Sequence, residues 1–402
     1  MAQFPSGYTF PVLTSTGTFS STIEDFNDIF VPQSIFLNSG IYGFGYNSTG
    51  QIGQGNTSNF SSPIQVGALY TWKQIAFKQD FVIATQVNGS LWAWGNNSSG
   101  QLGDGTVVNK SSPIQVGLLT NWKLVSAGRY HTGAIKNDGT LWTWGNNSSG
   151  QLGDGTVVNK SSPIQVGLLT NWKLISAGAY FIGAIKTDNT LWTWGGSPNG
   201  QLGQGNTTNY SSPKQVGNLT NWKQVSMGYD ICHAVKTDGT LWWLGGLTDN
   251  GGGGAGSATI NVSSPVQLGN LTNWQLVYCG TYTVHAIKND GSLWGWGYGG
   301  DGEIGDGTVV NKSSPIQVGL LTNWKLLGGG KYHIAAIKTD GTLWTWGANS
   351  VGELGNGTIT SVNSPIQVGN STDWKQVAAG GGQGGDGTFD ATFAIASPDL
   401  LN

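Results

Sequence analysis

Four histidines (His131, His233, His285 and His333), two cysteines (Cys232 and Cys279) and one glycine run (Gly251 to Gly256, with Ala255) are the parts of this 402-residue chain whose types invite chemistry. A zinc centre needs three or four His, Cys or carboxylate ligands converging on one point, and these are scattered without a ligand-pair spacing. A phosphate cradle needs a lysine and a helix start after its glycines, and neither follows Gly256. No nucleophile motif and no paired carboxylates stand out. These residues therefore predict buried structural histidines, two buried thiols and a rim loop, with no catalysis, no cofactor and no metal.

What positions them is a repeat. Leu-Trp-x-Trp-Gly stands at Leu91, Leu141 and Leu191, as Leu-Trp-Trp-Leu-Gly at Leu241, again at Leu293 and Leu343, and in degenerate form as Ile41-Tyr42-Gly43-Phe44-Gly45. Successive anchors lie 50, 50, 50, 50, 52 and 50 residues apart, so one supersecondary unit recurs seven times. Copying is close to literal, because residues 91–128 and 141–178 differ only at Ala93/Thr143 and Val125/Ile175.

Within one unit, Leu141-Trp142-Thr143-Trp144 alternates as a strand with packing residues on both faces. Gly145 to Gly155 is a cluster of turn residues, and Pro163-Ile164-Gln165-Val166 reads as an outer edge strand opened by proline. Trp172 to Ser176 and Gly183 to Lys186 complete four short strands, and no window has a sustained helical period. The expectation is an all-β, single closed seven-bladed propeller of four-stranded blades, spanning 26–402 after an N-terminal extension or tether at 1–25. All 19 tryptophans lie in two strands of the repeat, seven in the Trp72 series and twelve in the Leu-Trp strands, which predicts packing between blades as their role.

Composition narrows function. Charged residues are 10% of the chain, against roughly 25% in soluble proteins generally. Net charge is −3 and Arg129 is the single arginine, so the basic footprint of a nucleic-acid binder is missing. No apolar run reaches the roughly 18 residues of a membrane helix, and the first twenty residues lack the pattern of a cleavable signal peptide.

Gly145-Asn146-Asn147 through Gly150-Gln151-Leu152-Gly153-Asp154-Gly155, then Ser-Pro, then the Gly-x-x-His of Gly128 to His131 and Gly330 to His333, resembles the regulator-of-chromosome-condensation repeat. The resemblance runs from about residue 26 to 396 and implies a seven-bladed propeller. Members of that family include an exchange factor for a small GTPase, a plant ultraviolet photoreceptor and a secreted β-lactamase inhibitor. What the resemblance implies in common is a propeller face that binds another protein. The photoreceptor's tryptophans in the Gly-x-x-His segments have no counterpart here, and the exchange factor's DNA contacts have no basic tail to make them.

Specificity is sought where the copies disagree. The segment between the Trp-Lys and Ala-Ile-Lys strands varies most and must map to one rim. It supplies the candidate binding residues Arg129, Tyr130, Tyr180, Phe181, Tyr229, Asp230, Tyr282, Lys331 and Tyr332, a composition suited to an interface. The same tyrosines would also serve as spacers around the channel.

At the termini, Phe26 to Ile29 and Ile35 to Leu37 resemble a shortened inner half unit, and Trp374 to Ser397 is another, so eight inner halves accompany seven Leu-Trp halves. The neutral Asn/Ser/Thr-rich surface, recent duplication and absent export signal predict a virus or bacteriophage structural protein displayed on a virion surface. Its partner would be a virion subunit or host receptor. The alternatives are a cytoplasmic protein-interaction scaffold or inhibitor and a glycan-binding lectin-like propeller.

Overall fold

The computed structural model describes residues 39–246, 253–256, 261–381 and 390–397. The expected tether at 1–25, the half unit at 26–37 and the start of the glycine run lie outside the described residues.

The first complete unit shows how a blade is made. Strands β3 (Trp72–Lys78), β4 (Phe81–Gln86), β5 (Leu91–Gly95) and β6 (Lys110–Gln115) pair antiparallel in that order. The pattern recurs in six sheets from 72 to 367, and the described residues hold strands and turns without a helix. The β3-type strands pack on one another around the axis, so each blade runs from a Trp-Lys strand at the centre to a Pro-containing strand at the edge. The Ala-Ile-Lys strands are buried throughout, as in HTGAIK and FIGAIK, because a neighbouring blade covers each face.

The seventh blade joins the chain ends. Its order is β2 (Phe60–Gln65), β1 (Gly40–Gly45), β28 (Ala391–Ala396), β27 (Trp374–Gly380). Ile41 faces Ile395 and Tyr42 faces Ala394, the register that Leu141 and Ile135 keep within a single hairpin. The C-terminal inner half therefore closes the ring, and no open strand edge is left at the seam.

The outer strands begin earlier than the proline-opened reading predicts. Lys160–Gln165 pairs with Leu141–Gly145 through a register shift between Lys160 and Ile164. Pro163 sits within that irregularity on the outermost edge, where its missing N–H breaks no ladder bond.

The two tryptophans of each pair differ. Trp144 is fully buried and donates its Nε1–H to the Gln101 carbonyl of the preceding blade at 2.9 Å. Trp142 is half-buried, donates to Thr140 Oγ1 at 2.9 Å and is capped by Lys136 Nζ 3.6 Å from its ring. Trp122, buried on the central strand, meets both edge-on at 6.0 Å. Gly103 makes room for this seam. It has φ of 79°, and a methyl there would lie 2.7 Å from Trp144 Nε1.

Candidate functional site

All seven central strands run the same way, so the ring has two unlike ends. At one end, residues next to the central-strand tryptophans place Lys73, Lys123, Lys173, Lys223, Lys325 and Lys375 around the mouth, with Gln275 in the seventh position. At the other end are the turns that vary between copies.

Three sequence-predicted residues assemble on Arg129 at this variable end. Its Nη1 donates to the hydroxyls of Tyr180, in a short hydrogen bond, and of Tyr229 at 2.9 Å. Its Nε donates to Gln79 Oε1 at 3.0 Å. Gln79 Nε2 in turn donates to the Tyr130 hydroxyl at 3.0 Å. The guanidinium lies 5.0, 5.4 and 5.6 Å from the ring centres of Tyr130, Tyr180 and Tyr229, within cation–π range. One half-buried cation thus ties together turns from four consecutive blades. Burial pushes Tyr229 up to about 12, helped by Tyr180 and the Asp230 carboxylate, against the pull of Arg129.

A second group forms across the ring. Tyr282, Tyr298 and Tyr332 pack with centroids 6.0–6.3 Å apart, and Lys331 Nζ lies 4.3 Å from the Tyr332 ring centre. Carboxylates gather around them. Tyr332 N–H donates to Asp390 Oδ2 at 3.0 Å, and His333 Nδ1 lies 3.0 Å from the same oxygen. Burial raises Asp301, and takes Glu303 up to about 8.

Phe181 corrects the list. It has no solvent exposure, belongs to the blade core and occupies the position of His131, so no partner can touch its ring. Strand alternation explains this, because one residue beyond Tyr180 the chain has entered the buried strand Phe181–Lys186. Asp230 stays at the rim, accepts weakly from Gln201 Nε2 at 3.4 Å and is raised to about 6 by burial.

Several rim residues were not among the predicted ones. Gln79 and Asp80 form the turn of the first complete blade, with Gln79 at φ 59°, and burial lifts Asp80 to about 7 while Arg129 opposes the shift. Tyr298 and Asp301 come from the neighbouring loop, where Tyr-Gly-Gly-Asp replaces the Asn-Asn-Ser-Ser of other copies. That replacement was a readable signal. Asp390 has none, since it lies beyond the glycine-rich stretch that erases the repeat.

Below the Arg129 group, Lys78 crosses the channel. It replaces the glycine of the Gly-x-x-His turn, and its Nζ donates to the carbonyls of Ala177 at 3.1 Å and Met227 at 2.8 Å. Burial pulls this lysine down to about 8. Tyr278 bridges similarly, donating to the Gly329 carbonyl at 2.8 Å.

The four histidines are fully buried. Burial holds His131 and His233 near 3 and His285 near 4. Cys279 Sγ lies 3.4 Å from His233 Nδ1, and both thiols are free and buried. Among the described residues, no three His, Cys, Asp or Glu side chains converge to hold a metal ion.

Seven four-stranded blades closed through the chain ends, with variable turns gathered on one rim, define a repeat propeller. The chain belongs to the family described as the regulator of chromosome condensation (RCC1) repeat, which matches residues 38–84, 88–135, 138–185, 188–235, 290–337 and 340–383. The unmatched interval contains the unit whose Gly-Gln-Leu-Gly turn is replaced by the glycine run. Human WBSCR16 is 20% identical, with a TM-score of 0.78 over 90% of this chain and 100% of that one. Prp20p from Saccharomyces cerevisiae, described with its binding to Gsp1p and histones, is 18% identical, with a TM-score of 0.78 over 92% and 94%. Yeast RCC1 (Prp20) bound to Kap60 gives 18% and 0.79 over 98% and 97%. At these identities the likeness concerns the fold. No curated protein matches the sequence, and nothing in these relatives supports the expected virion role.

Proposed function

We propose that the protein is a non-catalytic interaction scaffold that binds another protein through the rim around Arg129 and Tyr332. The observation that carries this reading is the coincidence of repeat-breaking residues with one end of the ring. There a preorganised arginine, six tyrosines (Tyr130, Tyr180, Tyr229, Tyr282, Tyr298 and Tyr332) and several partly desolvated carboxylates gather where the copies differ. Interfaces draw most of their energy from a few such aromatic and arginine anchors. Arg129 is already fixed by Gln79, Tyr180 and Tyr229, so little side-chain freedom remains to be lost on binding.

Protein binding by propellers of this fold, as described for Prp20p with Gsp1p and histones and for yeast RCC1 with Kap60, supports the partner class without naming the partner. The virion, receptor and glycan options have no observation in their favour.

The test compares partners retained by the wild-type protein with those retained by Arg129→Ala, Tyr130→Ala and Tyr332→Ala variants of equal thermal stability. Loss of a specific partner with an intact ring is the expected result. Full retention by all three would remove the rim as the binding site.

A further inference from the structure

The opposite end of the ring has its own character. Eleven lysines end there, six at the mouth and five at the ends of the Ala-Ile-Lys strands, against six aspartates in the adjoining turns. The face is thus net positive on a chain whose overall charge is −3. Behind the lysines lies a cavity of about 290 Å³ with an apolar belt that includes Leu124, Leu174, Leu276, Leu326 and Val377. Leu118, Leu168 and Leu320, on loops opening to the same side, are 90–91% exposed. A ligand that complements this end must be acidic and apolar together.

The chain carries such a segment. Ile23-Glu24-Asp25-Phe26-Asn27-Asp28-Ile29-Phe30 holds three carboxylates among four apolar side chains, and no lysine or arginine precedes Lys73. The segment also enters at the right place. Ser39 pairs with Thr71 beside the first central strand, its N–H donates to the Tyr70 carbonyl, and Lys375 Nζ of the lysine ring donates to its hydroxyl at 2.8 Å. Ten residues separate Asp28 from Ser39, enough to span up to about 35 Å when extended. The seat that a 26–37 half unit would fill beside β1 is taken by β28 and β27.

We infer that the lysine-lined mouth, at the end of the ring opposite the variable rim, is the docking site of the chain's own acidic segment, residues 23–30. Carboxylates meet the lysine ring, and Phe26, Ile29 and Phe30 meet the leucine belt. This goes beyond the proposed function and does not depend on it.

The experiment is zero-length carbodiimide coupling of the full-length protein, followed by peptide mapping. Glu24, Asp25 and Asp28 are expected to couple to Lys73, Lys223 and Lys325 in the monomer, and the yield is expected to fall about fivefold in 1 M salt, where charges are screened beyond about 3 Å. A charge-reversed variant (Glu24→Lys, Asp25→Lys, Asp28→Lys) is expected to lose the coupling and to be cut within residues 1–38 about tenfold faster by a protease. Adding Lys73→Glu, Lys223→Glu and Lys325→Glu is expected to restore protection. Coupling to Lys110, Lys160 or Lys312 at the other end overturns the inference. So does coupling found only in dimers, or protease cutting that is equally fast in all three proteins.

Discussion

The seams between blades and the rim around Arg129 are made by the same strands, yet they are built on opposite terms. In the seams, Trp144 bonds Gln101 O at 2.9 Å and Trp194 bonds Gln151 O at 3.0 Å, one solution repeated wherever the sequence is copied. At the rim, equivalent positions carry Arg129, Ala179, Tyr229, Thr281 and Lys331, and each does something different. The copied residues hold the ring, while the uncopied ones are left to choose what it binds. That division can be broken experimentally by finding a seam residue that changes binding alone, or a rim residue that changes stability alone.

The largest effect is expected in the seam. Trp144→Ala should destabilise the protein by about 3–5 kcal/mol, measured by denaturant unfolding, and Trp142→Ala by distinctly less because its ring is half-exposed and only capped by Lys136. Equal losses would mean that burial does not set the seam's energy. Next comes the rim, where Arg129→Ala should weaken partner binding by about 2 kcal/mol or more while shifting the melting temperature little. A melting loss as large as that of Trp144→Ala would make the arginine a structural staple.

Lys78 sharpens the contrast from inside the channel. It loses its proton near 8 in the folded protein and near 10.4 when unfolded. Between those values the unfolded chain binds more protons, so stability rises with pH. The wild type should therefore gain about 1–2 kcal/mol relative to Lys78→Met between pH 8 and 10, read from paired melting curves. Parallel curves would show that the ammonium is not desolvated. The smallest effect belongs to Thr143, whose hydroxyl donates to the Leu152 carbonyl at 2.7 Å. Thr143→Ala reproduces the natural Ala93 of the preceding copy and should cost about 1 kcal/mol.

The repeat made the ring legible because a 50-residue period leaves little choice of strand order, and the Leu-Trp and Ser-Pro landmarks mark strand positions. Burial of individual side chains was harder to read. Trp142 and Trp144 alternate identically in sequence, and only the neighbouring blade decides which is covered. Of the rim, Arg129, Tyr130, Tyr180 and Tyr229 could be collected from their offsets, but not the hydrogen bonds that join them, since those cross four blades. Phe181 lies one step past the rim, already inside the buried strand, where an offset alone does not separate it from Tyr180. Asp390 had no repeat offset to betray it, although it meets both Tyr332 and His333.

The closing blade has a consequence for how the protein comes to exist. Six sheets are built from consecutive hairpins that can zip locally as the chain emerges, but Ile41 finds its partner only at Ile395. Joining ends roughly 350 residues apart costs about 5 kcal/mol of chain entropy beyond a constant, and such distant contacts form late. Until β27 and β28 leave the ribosome, the nascent arc exposes an unfilled strand edge on β1 and an uncovered blade face. Strands β27 and β28 are therefore a clasp whose timing, more than its strength, sets how long the newborn chain stays vulnerable to pairing with its neighbours.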